Sequence, residues 1–183
     1  MGDPAATAVR QLWQSLVQED IPSQPLALGA RPHISLCVYE SLDSPLVAKK
    51  LGIFARQFEP LSFVLENVDT FPASNGVVFL APRLSEGLIE AHRRFHKEFD
   101  GYRATASPYY LPKNWQPHCT VAEDLSSKQV SHAIEICRKT HLPIRGQLVQ
   151  IGLIKFRQLK KFAHLHWVKI DSPGRSPTAP DQR

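Results

Sequence analysis

Cysteine is scarce in this 183-residue chain, and long apolar runs are missing altogether. The three cysteines, Cys37, Cys119 and Cys137, are too few and too scattered for a disulfide framework or a CxxC zinc site. No apolar run approaches the roughly 18–20 residues that a membrane span needs. The first twenty residues carry acids and lack the apolar stretch of a secretory signal. These absences exclude an integral membrane protein and predict a reducing, intracellular compartment, either the cytoplasm or, as an open alternative, the nucleus.

Acidic residues are absent between His141 and Ile170, although the whole chain has 17 of them. The same stretch carries six basic residues, which is more than the net charge of +5 of the entire chain. A one-sided basic surface suits a polyanion such as a nucleotide or an RNA phosphate, but a solvated face on a final hairpin explains the run equally well. The six basic residues are Arg145, Lys155, Arg157, Lys160, Lys161 and Lys169.

Apolar spacing predicts the same order of elements, strand–helix–strand–strand, twice along the chain. At 43% hydrophobic and 21% charged residues, the composition is that of a globular protein, and the length fits one domain or two small lobes. The tail at 171–183 holds three prolines and no large apolar residue, so we expect it to be disordered. The predicted helices are 5–19, 45–58, 84–99 and 128–140, and the predicted strands are 33–40, 61–68, 76–81, 118–123, 144–156 and 162–170.

One local motif opens the first strand of each repeated unit: PHIS at 32–35 and PHCT at 117–120. Of the eight histidines, only the two in these motifs are followed two positions later by serine or threonine. Alternate side chains of a strand share a face, so each motif would present an imidazole beside a hydroxyl. The preceding proline and the equivalent places in a repeated unit make chance a poor explanation.

Two imidazoles that face each other across a cleft suit phosphodiester chemistry. The ordinary imidazole pKa is near 6.5, so one ring can accept a proton while the other donates one. The two hydroxyls can hold the non-bridging phosphate oxygens, where negative charge develops. This arrangement requires no metal and no other cofactor.

Other histidines and cysteines have simpler interpretations. His92 and His96 have the spacing of helical zinc ligands, but the HExxH pattern is missing, so we interpret them as one face of an amphipathic helix. Cys37 continues the face of the first motif and is interpreted as a packing residue, and Cys119 as a core residue.

At these motifs the sequence resembles the two-histidine (2H) phosphoesterase superfamily, which includes bacterial 2′-5′ RNA ligase-like proteins and cyclic phosphodiesterases. The resemblance covers about residues 31–170. The segments that carry it are RPHISLCVYE, GVVFLAP with the following LIEAHRRFHKEF, and YYLPKNWQPHCTVAEDL.

The resemblance implies an α+β fold that is bilobal, with duplicated β-α-β-β units. In such a fold two antiparallel sheets form a V-shaped central cleft, with one motif on each wall. The lobes would cover about 31–83 and 116–170, and the segment 84–115 would link them. Residues 1–30 would then form an N-terminal helix and loop that pack on this single domain.

The resemblance also implies hydrolysis or transesterification of a phosphodiester, typically a 2′,3′-cyclic phosphate or a 2′-5′ linkage, without a metal. By resemblance, His33 and His118 take the acid–base roles, and Ser35 and Thr120 bind the phosphate. Ser35 stands where threonine is common in the family, but serine still supplies the hydroxyl.

Aromatic and basic residues near the motifs are candidates for substrate binding. The aromatic side chains could stack on a nucleobase, or they could equally pin a proline-rich loop to the core. The basic side chains could add positive charge at the mouth of the cleft. The aromatic candidates are Tyr109, Tyr110 and Trp115, and the basic ones are Arg31, Lys113, Lys155 and Arg157.

Three functions compete at this point. The leading hypothesis is a monomeric, metal-independent phosphodiesterase whose substrate is a nucleotide or an RNA end. A non-catalytic module that binds a nucleotide or an RNA end would use the same basic stretch and aromatic loop. An interaction scaffold with the proline-rich tail as its ligand is the weakest of the three.

Overall fold

The computed structural model of the chain describes residues 4–71, 76–140, 142–155 and 166–169. The predicted tail and Arg157 lie outside these residues. Two short 3-10 helices, Asp100–Thr105 and Pro108–Tyr110, occupy the loop before the second motif. Within the described ranges the α-helices are α1 Pro4–Gln18, α2 Gln24–Ala27, α3 Ser44–Ala55, α4 Glu86–Glu98 and α5 Ser127–Lys139. The strands are β1 Leu61–Thr70, β2 Val78–Pro82, β3 Cys119–Ala122, β4 Ile144–Leu148, β5 Gly152–Lys155 and β6 His166–Lys169.

Four strands form one antiparallel sheet in the order β3-β2-β1-β4, and β5 pairs with β6 in a separate antiparallel hairpin. This mixture of helices with antiparallel strands confirms the α+β prediction. The duplicated, bilobal arrangement is not confirmed. The central strands β1 and β2 come from the first predicted unit, while the flanking strands β3 and β4 come from the second.

Side-chain caps account for where the main helices begin. The Asp43 carboxylate accepts the N–H of Leu46 at 3.4 Å at the start of α3. At α5, Ser126 and Gln129 form a reciprocal capping box. Such caps satisfy N–H groups that have no partner within the helix, which is why the sequence predicted these starts to within a residue or two.

Two groups of apolar side chains hold the elements together. The larger group lies between the four-stranded sheet and helices α1 and α5, and it includes Leu12, Trp13, Leu65, Leu80, Val121 and Cys137. The smaller group lies between α3 and α4, where Phe54 packs edge to face against both Phe95 and Phe99. Among the described residues, no helix combines the length and apolar character required to cross a bilayer.

Helix α1 lies against both edge strands of the sheet. Near its start, Ala5 packs so closely against Gly146 of β4 that a Cβ on the glycine would approach the Ala5 Cβ to 2.6 Å. Near its end, the indole N–H of Trp13 donates to the Thr120 carbonyl of β3 at 3.2 Å. Eight residues of helix span about 12 Å, close to the roughly 14 Å across four paired strands. The helix therefore crosses the whole sheet and reaches the second motif.

The strand predicted over 33–40 does not form, and that prediction was wrong. In this segment only Tyr39 makes a β-bridge, an isolated one with Ala106. The Val38 carbonyl accepts the N–H of Ser107 at 2.8 Å, so the end of the segment pairs with the 3-10 region and not with the sheet. The single strand predicted over 144–156 is two strands, β4 and β5, with a break between them.

Candidate active site

The two motif histidines make the same hydrogen bond. His33 Nδ1 lies 2.8 Å from the carbonyl oxygen of Arg31, and His118 Nδ1 lies 2.8 Å from that of Gln116. A carbonyl oxygen can only accept, so each Nδ1 carries a proton and the neutral ring keeps its lone pair on Nε2. In both motifs the intervening residue is proline, which has no N–H and a fixed φ. The repeated proline of the sequence pattern thus belongs to a repeated backbone geometry.

The fold brings the two motifs into direct contact. The backbone N–H of His33 is hydrogen-bonded to the sulfur of Cys119, which lies between His118 and Thr120 in the chain. Cys119 is buried in the core, as predicted. Burial lowers the pKa of His118, and positive charge on His33 makes a smaller contribution in the same direction. That His33 and His118 form one catalytic site stays a prediction.

Aromatic rings surround His118. The Phe71 ring meets it edge to face at a centroid distance of 5.0 Å, and the Phe79 ring lies at 5.4 Å. Tyr110 lies at 6.2 Å. Burial lowers the pKa of His118, with the charge of His33 as a smaller contribution, and its bond to Gln116 opposes both. The ring is therefore biased towards its neutral form.

Thr120 lies on the same side of the sheet as the ring of His118. Its register partner on β2 is Phe79, and cross-strand partners point to the same face. Ser35 belongs to the segment that forms no strand. The alternation of side chains along a strand therefore does not apply, and it gives no reason to place the Ser35 and His33 side chains on one face. Both phosphate-binding assignments stay predictions.

The carbonyl of Ser35 is held by Trp115, whose indole N–H donates to it at 3.0 Å. Trp115 also stacks on His92, with ring centroids 3.7 Å apart and the planes 6° from parallel. These contacts connect the loop before the second motif to the first motif. One face of Trp115 is thus occupied within the protein, and its assignment to nucleobase stacking stays a prediction.

The buried His92 and the half-buried His96 contact each other under this loop. Their Nε2 atoms are 3.1 Å apart, and His92 Nε2 lies 3.0 Å from the carbonyl oxygen of Tyr110. Burial lowers the pKa of both rings, and the nearby carbonyls of Tyr110 and Leu36 oppose this effect. Their side chains lie on the packed face of α4, in agreement with the amphipathic-helix interpretation. In the part of the chain that the structure describes, no group of three or more metal-ligating side chains is present.

The remaining candidates lie at different depths. Tyr110 is half-buried beside His118, whereas the side chain of Tyr109 is 80% exposed. Arg31 is exposed and donates to the side chain of Gln150 at 2.8 Å. Lys113 is exposed, Lys155 ends strand β5 with its side chain undescribed, and Arg157 lies outside the described residues. Cys37 packs against the smaller apolar group, which confirms its interpretation as a packing residue.

Sequence reasoning missed the aromatic surroundings of His118 and the support from α1. The position of Phe79 could have been suspected from the sequence, because it lies in the strand predicted over 76–81, which pairs with the strand of the second motif. Phe71 follows the end of β1, where no periodicity marks it. The contact of Trp13 with Thr120 joins residues 107 positions apart, so no local pattern could have revealed it.

Comparison with known proteins identifies one family. A family model described as the 2′-5′ RNA ligase superfamily matches residues 2–159 of the chain. That range includes both motifs, the aromatic loop and helix α1. A search of the curated proteins finds no match.

Proposed function

The chain belongs to the 2′-5′ RNA ligase superfamily of 2H phosphoesterases, and from this membership we propose that it is a metal-independent phosphodiesterase. Its substrates would be 2′,3′-cyclic phosphates or 2′-5′-linked nucleotides at RNA ends. The observation that carries the proposal is the pair of Nδ1–carbonyl bonds at His33 and His118, because they leave Nε2 of each ring available for proton transfer.

The proposed reaction is an in-line displacement at phosphorus. Water, or a ribose hydroxyl in the reverse direction, attacks the phosphorus atom while one imidazole Nε2 removes its proton. The bond from phosphorus to the leaving ribose oxygen breaks, and the second imidazolium donates a proton to that oxygen. Donation from the hydroxyls of Ser35 and Thr120 would hold the non-bridging oxygens as their charge increases.

The surroundings of the two rings support one assignment of these roles. The aromatic rings around His118 favour its neutral form, and a base must start neutral. We therefore assign His118 as the base and His33 as the acid in the hydrolytic direction. The roles exchange in the reverse reaction.

A metal-free substrate screen tests this function. Purified protein is incubated with EDTA and with 2′,3′-cyclic nucleotides, 2′-5′ oligonucleotides and RNA 3′ ends, and the products are resolved by chromatography. We expect turnover that EDTA leaves intact. His33→Ala and His118→Ala should each reduce it by at least about 10²-fold, the usual effect of losing a general acid or base.

His132→Ala is the matched control, because His132 is partly exposed on α5 and contacts only acidic side chains in the interactions described for it. It should retain the wild-type rate. Full activity in either motif variant would contradict the mechanism. Tight binding of a cyclic nucleotide by wild-type protein without any product would instead favour a binding module of the same fold.

A further inference from the structure

The backbone at the end of the first motif is held partly by a side chain and partly by the 3-10 region. The Ser35 carbonyl accepts from the indole of Trp115 at 3.0 Å, and the Val38 carbonyl accepts from the backbone N–H of Ser107 at 2.8 Å. A strand would satisfy these groups through a ladder, but residues 33–38 belong to no strand. A carbonyl that is shielded from water and left unpaired is costly, so the bond from Trp115 stabilises the position of Ser35.

His92 contacts both Trp115 and the backbone of Tyr110. Its side chain is buried, with the residue 3% exposed, and one face stacks on Trp115 at 3.7 Å. Its Nε2 lies 3.0 Å from the carbonyl oxygen of Tyr110, which can only accept, so Nε2 carries the proton of this bond.

We propose that His92 is a positioning residue, whose ring fixes the first motif relative to the second through Trp115 and the Tyr110 carbonyl. The inference rests on the proposed function, since the alignment concerned is that of its two catalytic histidines. His92 itself reaches neither motif side chain in the contacts described for it, and it acts through its neighbours.

Both motifs depend on the loop that His92 holds. Trp115 anchors the Ser35 carbonyl of the first motif and stands three residues before His118 of the second. Tyr110, whose carbonyl His92 binds, places its own ring beside His118. A displacement of this loop would therefore move the acid and the base relative to each other. An error of about 1 Å in such an alignment can reduce the rate by about 10²-fold.

Two substitutions separate the contributions of the ring. His92→Ala removes both the stacking surface and the N–H donor. His92→Gln removes the stacking surface but keeps an N–H donor on a side chain of similar reach. Arg93→Ala is the control on the same helix, because the exposed Arg93 side chain pairs only with Glu90 among its described ion pairs.

The first measurement is hydrogen exchange at the tryptophan indoles, followed by NMR, and it needs no substrate. In His92→Ala we expect the Trp115 indole N–H to exchange at least about tenfold faster, because its bond to Ser35 loosens. The Trp13 indole, which donates to Thr120 on the far side of the second motif, should be unchanged. His92→Gln should fall between wild type and His92→Ala.

The second measurement is steady-state kinetics on a substrate found in the screen. A positioning role predicts that His92→Ala lowers kcat by about tenfold or more with little change in KM, and that His92→Gln restores part of the loss. Arg93→Ala should match wild type in both measurements.

The outcomes are distinguishable. Faster exchange at both indoles would mean that the whole fold has loosened, and unchanged exchange at Trp115 would mean that His92 does not hold it. Either result overturns the inference, as would an unchanged kcat. If wild-type protein turns over none of the substrates, the proposed function fails, while the exchange at Trp115 still decides whether His92 positions the first motif.

Discussion

At the scale of single residues, the two motif histidines share one hydrogen-bond geometry. In both, Nδ1 donates to the carbonyl two residues earlier, across a proline. The ring of His118 also contacts the rings of Phe71 and Phe79. The shared bond orients both Nε2 atoms, and burial among apolar rings lowers the pKa of His118.

Removal of an apolar ring should therefore raise the pKa of His118. Burial lowers this pKa below 6.5, so Phe71→Ala, which admits water to the ring, should move it back upwards. The titration of the His118 ring, followed by NMR, measures the change directly. If His118 is the base, the acidic limb of the kcat/KM profile should move to higher pH by the same amount.

Tyr109→Ala provides the control, because Tyr109 is largely exposed and should leave the titration unchanged. An unaltered His118 pKa in Phe71→Ala would show that the phenylalanine does not set it.

The sequence predicted the motif histidines because their signal is local. Proline, histidine and hydroxyl stand within four residues, and the pattern occurs twice. The lowered pKa of His118 was beyond prediction, since Phe71 and Phe79 meet its ring only in the folded chain. For Trp115 the sequence left stacking on substrate and pinning of the loop equally open, and only the position of the Ser35 carbonyl shows how the loop is held.

At the scale of elements, helices were predicted better than the segment that carries the first motif. Caps such as Asp43 and Ser126 act within one turn, so the local sequence contains the whole signal. The segment 33–40 has β-branched and aromatic residues, but a strand also needs a partner at the right place. The indole of Trp115 takes up the Ser35 carbonyl, and among the described residues only Tyr39, at the end of the segment, forms a bridge.

The close packing of α1 on β4 predicts that a larger side chain at Gly146 destabilises the fold. A Cβ at Gly146 would lie 2.6 Å from the Ala5 Cβ and 2.9 Å from Phe63 Cζ. Gly146→Ala should therefore lower the free energy of unfolding by about 1–3 kcal/mol, the usual range for overpacking. Urea unfolding measures this change.

Gly101→Ala is the matched substitution, because a Cβ there would meet nothing within 4 Å. Its unfolding midpoint should stay near that of wild type. Equal midpoints for the Gly146 and Gly101 variants would show that α1 moves away from the sheet without cost.

At the scale of the whole molecule, buried histidines link stability to pH. Burial, and then the charge of His96, lower the pKa of His92 to about 4, whereas in the unfolded chain it is near 6.5. Between these values the unfolded chain binds a proton that the folded chain does not. The free energy of unfolding should thus fall as the pH falls from about 6.5 to about 4, and this contribution is constant above that window.

His92→Phe removes this group and should flatten the dependence. The comparison is made by urea unfolding at about pH 7.5 and about pH 5, where the variant should lose less stability than wild type. The charge of His96 acts on the pKa of His92, and the charge of Arg103 acts on that of His96. Both His96 and Arg103 are retained in the variant. Parallel losses in the two proteins would contradict a lowered pKa at His92.

The hydrogen bonds from the N-terminal region to strand β3 affect how the chain can be shortened. Two consecutive carbonyls of this edge strand accept hydrogen bonds from the N-terminal region. The Trp13 indole of α1 donates to Thr120, and the buried Ser23 hydroxyl donates to Val121 at 2.8 Å. A shortened chain that began at Arg31 would keep both histidine motifs and lose both of these hydrogen bonds. Its exposed strand would then be a template for pairing between copies, so we expect that trimming to the motifs yields an insoluble protein.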